Sequence, residues 1–184
     1  MQRRNVMNKC FEGKSSSHSL ASVLNDQLVK TRNQNLKNIF SAYEGNNHRL
    51  EFVKSINGID FINDSQAEAA IATWYALERM NKRVTWIMNI SDLDAITEEL
   101  LDVVNEKVER IIIQGVYKSE IIDFFSGIGK SVSFAMNLED AVRIAFYACQ
   151  QGEAILFSPA EPASKTYTSY AERGDQFKQA IAQL

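Results

Sequence analysis

An Asn-Gly pair between two short apolar segments constrains the fold of this chain more than any other feature. Asn57-Gly58 separates residues 50–56 from residues 59–63. Asn-Gly readily supplies the two positive φ angles of a type I′ turn, so the flanking segments are predicted to pair as a β-hairpin. The rest of the chain must then be built onto a sheet that begins with an antiparallel pair.

Strand-like and helix-like segments alternate from this hairpin to the end of the chain. The predicted strands are the apolar runs "RVTWIMNI", "RIIIQG", "SVSFAM" and "EAILFSP". The predicted helices fall at residues 67–80, 93–108, 118–128, 138–152 and 170–184. Helical connections of this length join parallel strands, so we predict a doubly wound, mainly parallel, Rossmann-like α/β sheet with helices on both faces. Ligands of such sheets bind beyond the carboxyl ends of the strands.

The first 46 residues have a different pattern. A polar, Ser-rich stretch precedes two predicted amphipathic helices, at residues 18–33 and 34–45. We therefore predict an N-terminal helical segment over residues 1–46 and an α/β domain over residues 47–184. The apolar faces of the two helices are expected to be buried against another surface, which favours self-association or a protein partner.

Composition excludes several classes of function. A net charge of −3 over 184 residues argues against nucleic-acid binding. No apolar run approaches the roughly 20 residues that a membrane span needs. Cys10 and Cys149 match no metal-ligand spacing, and His18 and His48 are the only histidines. We expect a cytoplasmic protein with no metal site, no membrane contact and no nucleic-acid partner.

Several segments together resemble one family, the Mur ligases. The segments are "NHRLEFVKSINGIDFINDS", "TWYALERM", "ILFSPA" and "YAERGDQFK", and they fall in the family's order and spacing. Residues 47–184 resemble the C-terminal domain of the bacterial members that add D-glutamate to a peptidoglycan precursor. Residues 1–46 resemble the last helices of the family's central, ATP-binding domain.

The resemblance implies roles for several residues. Family members use ATP and Mg²⁺ to form an acyl phosphate, which the amino acid then attacks. Arg49 and Asp64 match nucleotide-contacting positions, and a further set matches substrate-binding turns. That set is Ser65, Asp92, Ser158 and Tyr170. The alternative for the first pair is that Arg49 pairs with a surface acid while Asp64 caps a helix.

The chain departs from the family at the residues that hold the amino acid. Gln66 and Glu68 stand where the family has Lys and Thr, and Leu93 and Ala163 stand where it has Lys and Ser. The loss of positive side chains and the gain of a negative one would make this site repel a dicarboxylate instead of attracting it. Ser65 and Glu68 also fit the capping-box rule, so we predict that a helix begins at this turn.

The same comparison predicts a chain without catalytic residues or cofactor of its own. No Gly-x-x-x-x-Gly-Lys-Ser/Thr phosphate loop occurs in the 184 residues. We expect a shortened, degenerate ligase relative, a pseudoenzyme that is inactive alone. Two alternatives stay open: a nucleotide- or protein-binding module, and a subunit that acts in trans with a chain carrying the phosphate loop.

Overall fold

The computed structural model describes residues 20–41, 45–163 and 166–184 of the chain. The helices are α1 (Leu20–Ser41), α2 (Ala70–Arg79), α3 (Glu98–Lys107), α4 (Ser119–Gly127), α5 (Leu138–Ala148) and α6 (Tyr170–Ala182). The strands are β1 (Glu51–Ile56), β2 (Ile59–Asn63), β3 (Val84–Met88), β4 (Val108–Gln114), β5 (Ser131–Ala135) and β6 (Ala154–Phe157). A short 3₁₀ helix, Leu93–Ala95, precedes α3.

One six-stranded sheet organises the α/β part, in the order β1-β2-β6-β3-β4-β5. Strands β1 and β2 are antiparallel, and every other neighbouring pair is parallel. Asn57 and Gly58 both have positive φ, 52° and 76°, as the hairpin turn requires. The predicted doubly wound sheet with an initial hairpin is confirmed.

Helices cover both faces of the sheet, and each face has its own apolar core. Helices α2, α3 and α4 pack on one face, where the rings of Trp86 and Phe125 meet edge-on at 6.1 Å. Helices α5 and α6 pack on the other, where Phe157 and Phe177 stack at 5.0 Å. All five residues of β3 are buried, as expected of a central parallel strand.

The N-terminal part differs from the sequence prediction. A single helix, α1, spans the region where two helices were predicted. No Gly or Pro interrupts residues 20–41, so nothing in the sequence forces a break there. Contacts divide the chain into two units, Met1–Asn38 and Ile39–Leu184, whereas the predicted boundary at residue 46 stays a prediction. The predicted Ser-rich loop lies outside the described residues.

Helix α1 exposes apolar side chains. Val23, Leu24 and Leu28 are 39%, 59% and 70% exposed. Among the described residues, no helix combines the length and the apolar character that crossing a membrane requires. The other helices are at most 13 residues long.

A glycine in α6 permits the closest approach of a helix to the start of the sheet. A Cβ added to Gly174 would lie 2.2 Å from Nδ1 of His48, which is buried, and 3.0 Å from Nδ2 of Asn63. Asn63 Nδ2 also donates to the Gly174 carbonyl at 3.5 Å. Gly174 is therefore a close-packing residue, at which a side chain would collide with its neighbours.

Gly174→Ala is expected to lower the free energy of unfolding by about 1–3 kcal/mol, because His48 and Asn63 must move to admit a methyl group. Gly127→Ala is the matched control, since a Cβ at Gly127 meets no atom within 4 Å. That control should be neutral or stabilise by up to about 1 kcal/mol. Urea unfolding measures both, and equal effects of the two substitutions would contradict the packing account.

Candidate functional site

The ends of β2 and β6 bring two of the predicted site residues together. Asp64 follows β2 and Ser158 follows β6, and these strands are parallel neighbours. Asp64 N donates to the Phe157 carbonyl at 2.8 Å, and Ser158 Oγ donates to Asp64 Oδ2 at 2.9 Å. Thr73 of α2 joins through its hydroxyl, 2.7 Å from Ser158 Oγ. The predicted turns therefore form one hydrogen-bonded cluster.

Arg49 completes this cluster from the segment before β1. Its Nη1 lies 3.4 Å from Asp64 Oδ1, which also accepts from Leu50 N at 3.1 Å. The guanidinium carbon lies 5.8 Å from the centroid of the Tyr75 ring. Arg49 is 3% exposed and Asp64 is 0% exposed. The arrangement is an enclosed ion pair, with both carboxylate oxygens in use.

The structure corrects both parts of the alternative proposed for this pair. The partner of Arg49 is a buried acid rather than a surface one. Asp64 does not cap α2, whose N-cap residue is Ala69 and has no side-chain capping bond. Asp64 instead joins the start of β1 to the end of β6, a contact between segments far apart in sequence.

Burial raises the pKa of the Asp64 carboxyl from 3.8 to about 7. The positive charge of Arg49, the Ser158 hydroxyl and the Leu50 N–H act in the opposite direction but do not outweigh desolvation. The group therefore titrates near neutral pH in the folded protein.

Ser65 connects the turn after β2 to α6. Its hydroxyl donates to the Tyr170 carbonyl at 2.7 Å and accepts from Arg173 Nε at 3.2 Å. The capping box with Glu68 is wrong, because Ser65 is fully buried and its hydroxyl is already used by α6. Helix α2 begins later than predicted, at Ala70.

Two glutamates of the chain bind backbone N–H groups of the neighbouring turns. Glu68 Oε1 accepts from Ala163 N at 3.2 Å. A carboxylate oxygen of Glu161 accepts from Ser91 N, in the turn that follows β3. The chain's own carboxylates thus link the turns after β2, β3 and β6.

Arg173, near the start of α6, joins these turns to that helix. It is 1% exposed, and its Nη2 donates to the Ser65 carbonyl at 2.8 Å while Nη1 donates to the Glu161 carbonyl at 3.1 Å. Burial lowers the pKa of Arg173, against the raising effect of Glu68, Tyr167 and Glu161. The sequence contained an indication of these contacts. A positive side chain in the first turn of a helix is unfavourable to the helix dipole unless other groups accept hydrogen bonds from it.

Asp92 and Tyr170 are not part of the Arg49–Asp64 ion pair. Asp92 Oδ1 accepts from Asp94 N at 3.0 Å and caps the 3₁₀ helix, whereas Thr97 caps α3. Asp92 thus caps the 3₁₀ helix and not α3. The Tyr170 ring approaches His48 edge-on at 6.1 Å.

The nucleotide-contacting role of Arg49 and Asp64 stays a prediction. Both residues are buried, and Arg49 Nη1 faces Asp64 Oδ1. Within the described ranges, no group of three or more His, Cys, Asp or Glu side chains is placed to hold a metal ion.

Asp64→Asn should change how stability depends on pH. The folded pKa of Asp64, about 7, exceeds the ordinary value of 3.8, so the folded state retains the proton longer. The stability that protonated Asp64 contributes is full below about pH 4 and is lost as pH rises through 7. The wild-type free energy of unfolding should fall across this interval by up to about 4 kcal/mol more than that of the variant. Denaturant unfolding at several pH values measures this, and parallel curves would contradict it.

Comparisons with known proteins agree with this geometry. No protein-family model matches the chain. It is 34% identical over 175 residues to the UDP-N-acetylmuramoylalanine–D-glutamate ligase of Christiangramia forsetii, covering 95% of this chain and 39% of that protein. The corresponding ligase of Bacteroides thetaiotaomicron is 33% identical over 168 residues, with 91% and 38% covered. The chain therefore spans about two fifths of the length of these relatives.

Solved structures show the same fold at low sequence identity. A domain from a UDP-N-acetylmuramate:L-alanyl-gamma-D-glutamyl-diaminopimelate ligase of Haemophilus ducreyi superposes with a TM-score of 0.50 and 12% identity, covering 72% of this chain and 99% of that domain. The bifunctional folylpolyglutamate synthase/dihydrofolate synthase of Yersinia pestis gives a TM-score of 0.50 at 15% identity, with 75% and 31% covered. The sheet order, the turn residues and the sequence relatives together lead to one conclusion: the chain carries a Mur ligase C-terminal domain.

Proposed function

We propose that this domain keeps the framework of a D-glutamate-adding ligase but does not bind D-glutamate and is not catalytic by itself. One observation carries the proposal. The carboxylates of Glu68 and Glu161 occupy backbone N–H groups of the turns after β6 and β3. These are the turns that, by resemblance to the family, would face the amino-acid substrate.

Electrostatics supports this proposal. D-glutamate carries two carboxylates, and the turns that would receive them already hold two anionic side chains. Like charges about 4 Å apart repel by roughly 4 kcal/mol at an effective dielectric constant of 20. Gln66 and Leu93 supply no cation where the family has lysines. Arg173 lies near both glutamates but is buried and already donates to Ser65 and Glu161 backbone carbonyls.

The proposal extends to the nucleotide. The relatives' family uses ATP with Mg²⁺, and Arg49 and Asp64 match its nucleotide-contacting positions. In this chain Arg49 Nη1 forms an ion pair with Asp64 Oδ1, and the Asp64 carboxylate also accepts hydrogen bonds from Ser158 Oγ and Leu50 N. The alternative, a nucleotide-binding module, requires the pair to open, which would leave two charges in an enclosed site.

A titration followed by backbone amide NMR signals tests the proposal. D-glutamate and ADP, each at millimolar concentration, should shift no signals saturably in the wild-type protein. Gln66→Lys/Glu68→Thr/Leu93→Lys/Ala163→Ser is the positive comparison, since it replaces the two missing cations and removes one anion. Binding of D-glutamate should be measurable only in that variant.

Saturable D-glutamate binding by the wild-type chain would refute the charge argument. Saturable ADP binding that Asp64→Ala abolishes would instead support the nucleotide-binding module. The two outcomes are separable because the shifted signals would lie at different turns, after β3 and β6 in one case and around Arg49 in the other.

We further propose that the chain associates with itself through α1 and acts in the cytoplasm. The support for association is the exposure of Leu24 and Leu28 on this helix. Sedimentation velocity over a range of concentrations should show reversible association that Leu24→Glu/Leu28→Glu weakens. Asn25→Glu/Gln27→Glu, at exposed polar positions of the same helix, should leave it unchanged. A monomer at every concentration would contradict the proposal.

A further inference from the structure

A cleft of about 620 Å³ lies beyond the carboxyl ends of β3, β4 and β5, beside α6. Its described walls are rich in side-chain carboxamides, which supply both hydrogen-bond donors and acceptors. The carboxamides belong to Asn89, Gln114, Asn137, Gln176, Gln179 and Gln183. We call this region the amide cleft. Its volume lies within the range of small-molecule sites.

The amide cleft adjoins the cluster of turns described above. None of the six residues that the sequence predicted as a site lines it; those residues are Arg49, Asp64, Ser65, Asp92, Ser158 and Tyr170. The two regions share the turns after β3 and β6, where the Glu161 carboxylate binds the Ser91 N–H. The other walls of the cleft, after β4 and β5 and on α6, lie outside those turns.

Asn89 presents a buried acceptor in this cleft. Its Nδ2 donates to the backbone carbonyl of Gln114 at 3.1 Å and also to the Gln114 side-chain oxygen. Its Oδ1 is buried, and no group within the described ranges donates to it. A buried acceptor without a donor costs about 1–3 kcal/mol, which an N–H group of a ligand would recover.

The charge of the cleft favours a cation. Among the described lining residues, the charged ones are both acids, Glu139 and Glu161. The nearby Lys118 donates its ammonium to the Ser91 carbonyl but lines the adjacent cleft instead. A carboxylate entering the amide cleft would be repelled by Glu139, whereas an ammonium group would be attracted by it. The charge of Glu161 is partly balanced by the buried Arg173.

Apolar groups complete the site. Ile90, Ile113 and Leu138 are buried at its base, and Val116 and Met136 are 75% and 79% exposed at its rim. Aliphatic carbons next to the polar groups of a ligand would cover this surface. The cleft thus combines carboxamides, acids and aliphatic side chains.

We propose that the amide cleft binds a small ligand that carries an ammonium group together with amide groups, up to the size of a short peptide, and that it discriminates against carboxylates. Asn89 Oδ1 accepts from a ligand N–H, the carboxamides of α6 bind its amide groups, and Glu139 attracts its positive charge. The proposal goes beyond the proposed function, because the ligand is a cation and most of the walls of the cleft, after β4 and β5 and on α6, lie outside the turns that would face D-glutamate.

Three probes of similar size and different charge test the proposal. Glycyl-glycinamide is cationic, N-acetyl-glycinamide is neutral and N-acetyl-glycyl-glycine is anionic at neutral pH. In NMR titrations the cationic probe should bind most tightly, with shifts at residues 89–91, 114–116 and 136–139, and the anionic probe should not bind. Absence of binding by all three would overturn the site, and equal affinity for the three would overturn the charge preference.

Two variants assign the contacts. Glu139→Gln should weaken binding of the cationic probe by roughly two- to fivefold, the loss of one exposed charge pair. Glu106→Gln, at an exposed acid of α3, is the matched control and should have no effect. Asn89→Leu should weaken all binding by roughly tenfold.

Glu139 is exposed, so its substitution tests the proposal even if Asn89→Leu disturbs the contact with Gln114. Equal weakening by Glu139→Gln and Glu106→Gln would show that only the net charge of the protein matters. That result would overturn the assignment of the cleft.

Discussion

The carboxylate of Asp64 is the constraint on which the arrangement of the turns depends. It is wholly buried, and its two oxygens bind Arg49 and Leu50 N on one side and Ser158 on the other. Removing a charge from water is costly, so the site is stable only while these partners remain in place. The start of β1, the end of β2 and the end of β6 are thereby held in one position.

A second buried charge, Arg173, extends this constraint to the last helix. It binds Ser65 and the Glu161 carbonyl, and Glu68 and Glu161 favour its charged form. The same two glutamates bind backbone N–H groups at neighbouring turns. Residues that stand where the family would hold an amino acid therefore take part in the packing of this domain. On this account the family's framework persists because its turns are bound to one another.

The sequence predicted the architecture well because the relevant signals are local. Asn57-Gly58 specified the hairpin, and apolar runs such as residues 110–115 specified the parallel strands. The hydrogen-bond partners of the turn residues are distant in sequence, so rules based on neighbouring residues do not predict them. Ser65 and Glu68 satisfy the capping-box pattern, yet Ser65 binds Arg173, 108 residues away, and Glu68 binds Ala163, 95 residues away. The pairing of Arg49 with Asp64 was missed for the same reason.

A double-mutant cycle between Arg49 and Asp64 tests most directly whether the turn cluster is structural. The free energies of unfolding of Arg49→Met, Asp64→Asn and the double variant are compared with wild type at a pH above 7, where Asp64 is ionised. An enclosed ion pair predicts that the double variant loses less than the sum of the single losses, by about 1 kcal/mol or more. Losses that add within roughly 0.5 kcal/mol would contradict the account, because the two side chains would then be acting independently.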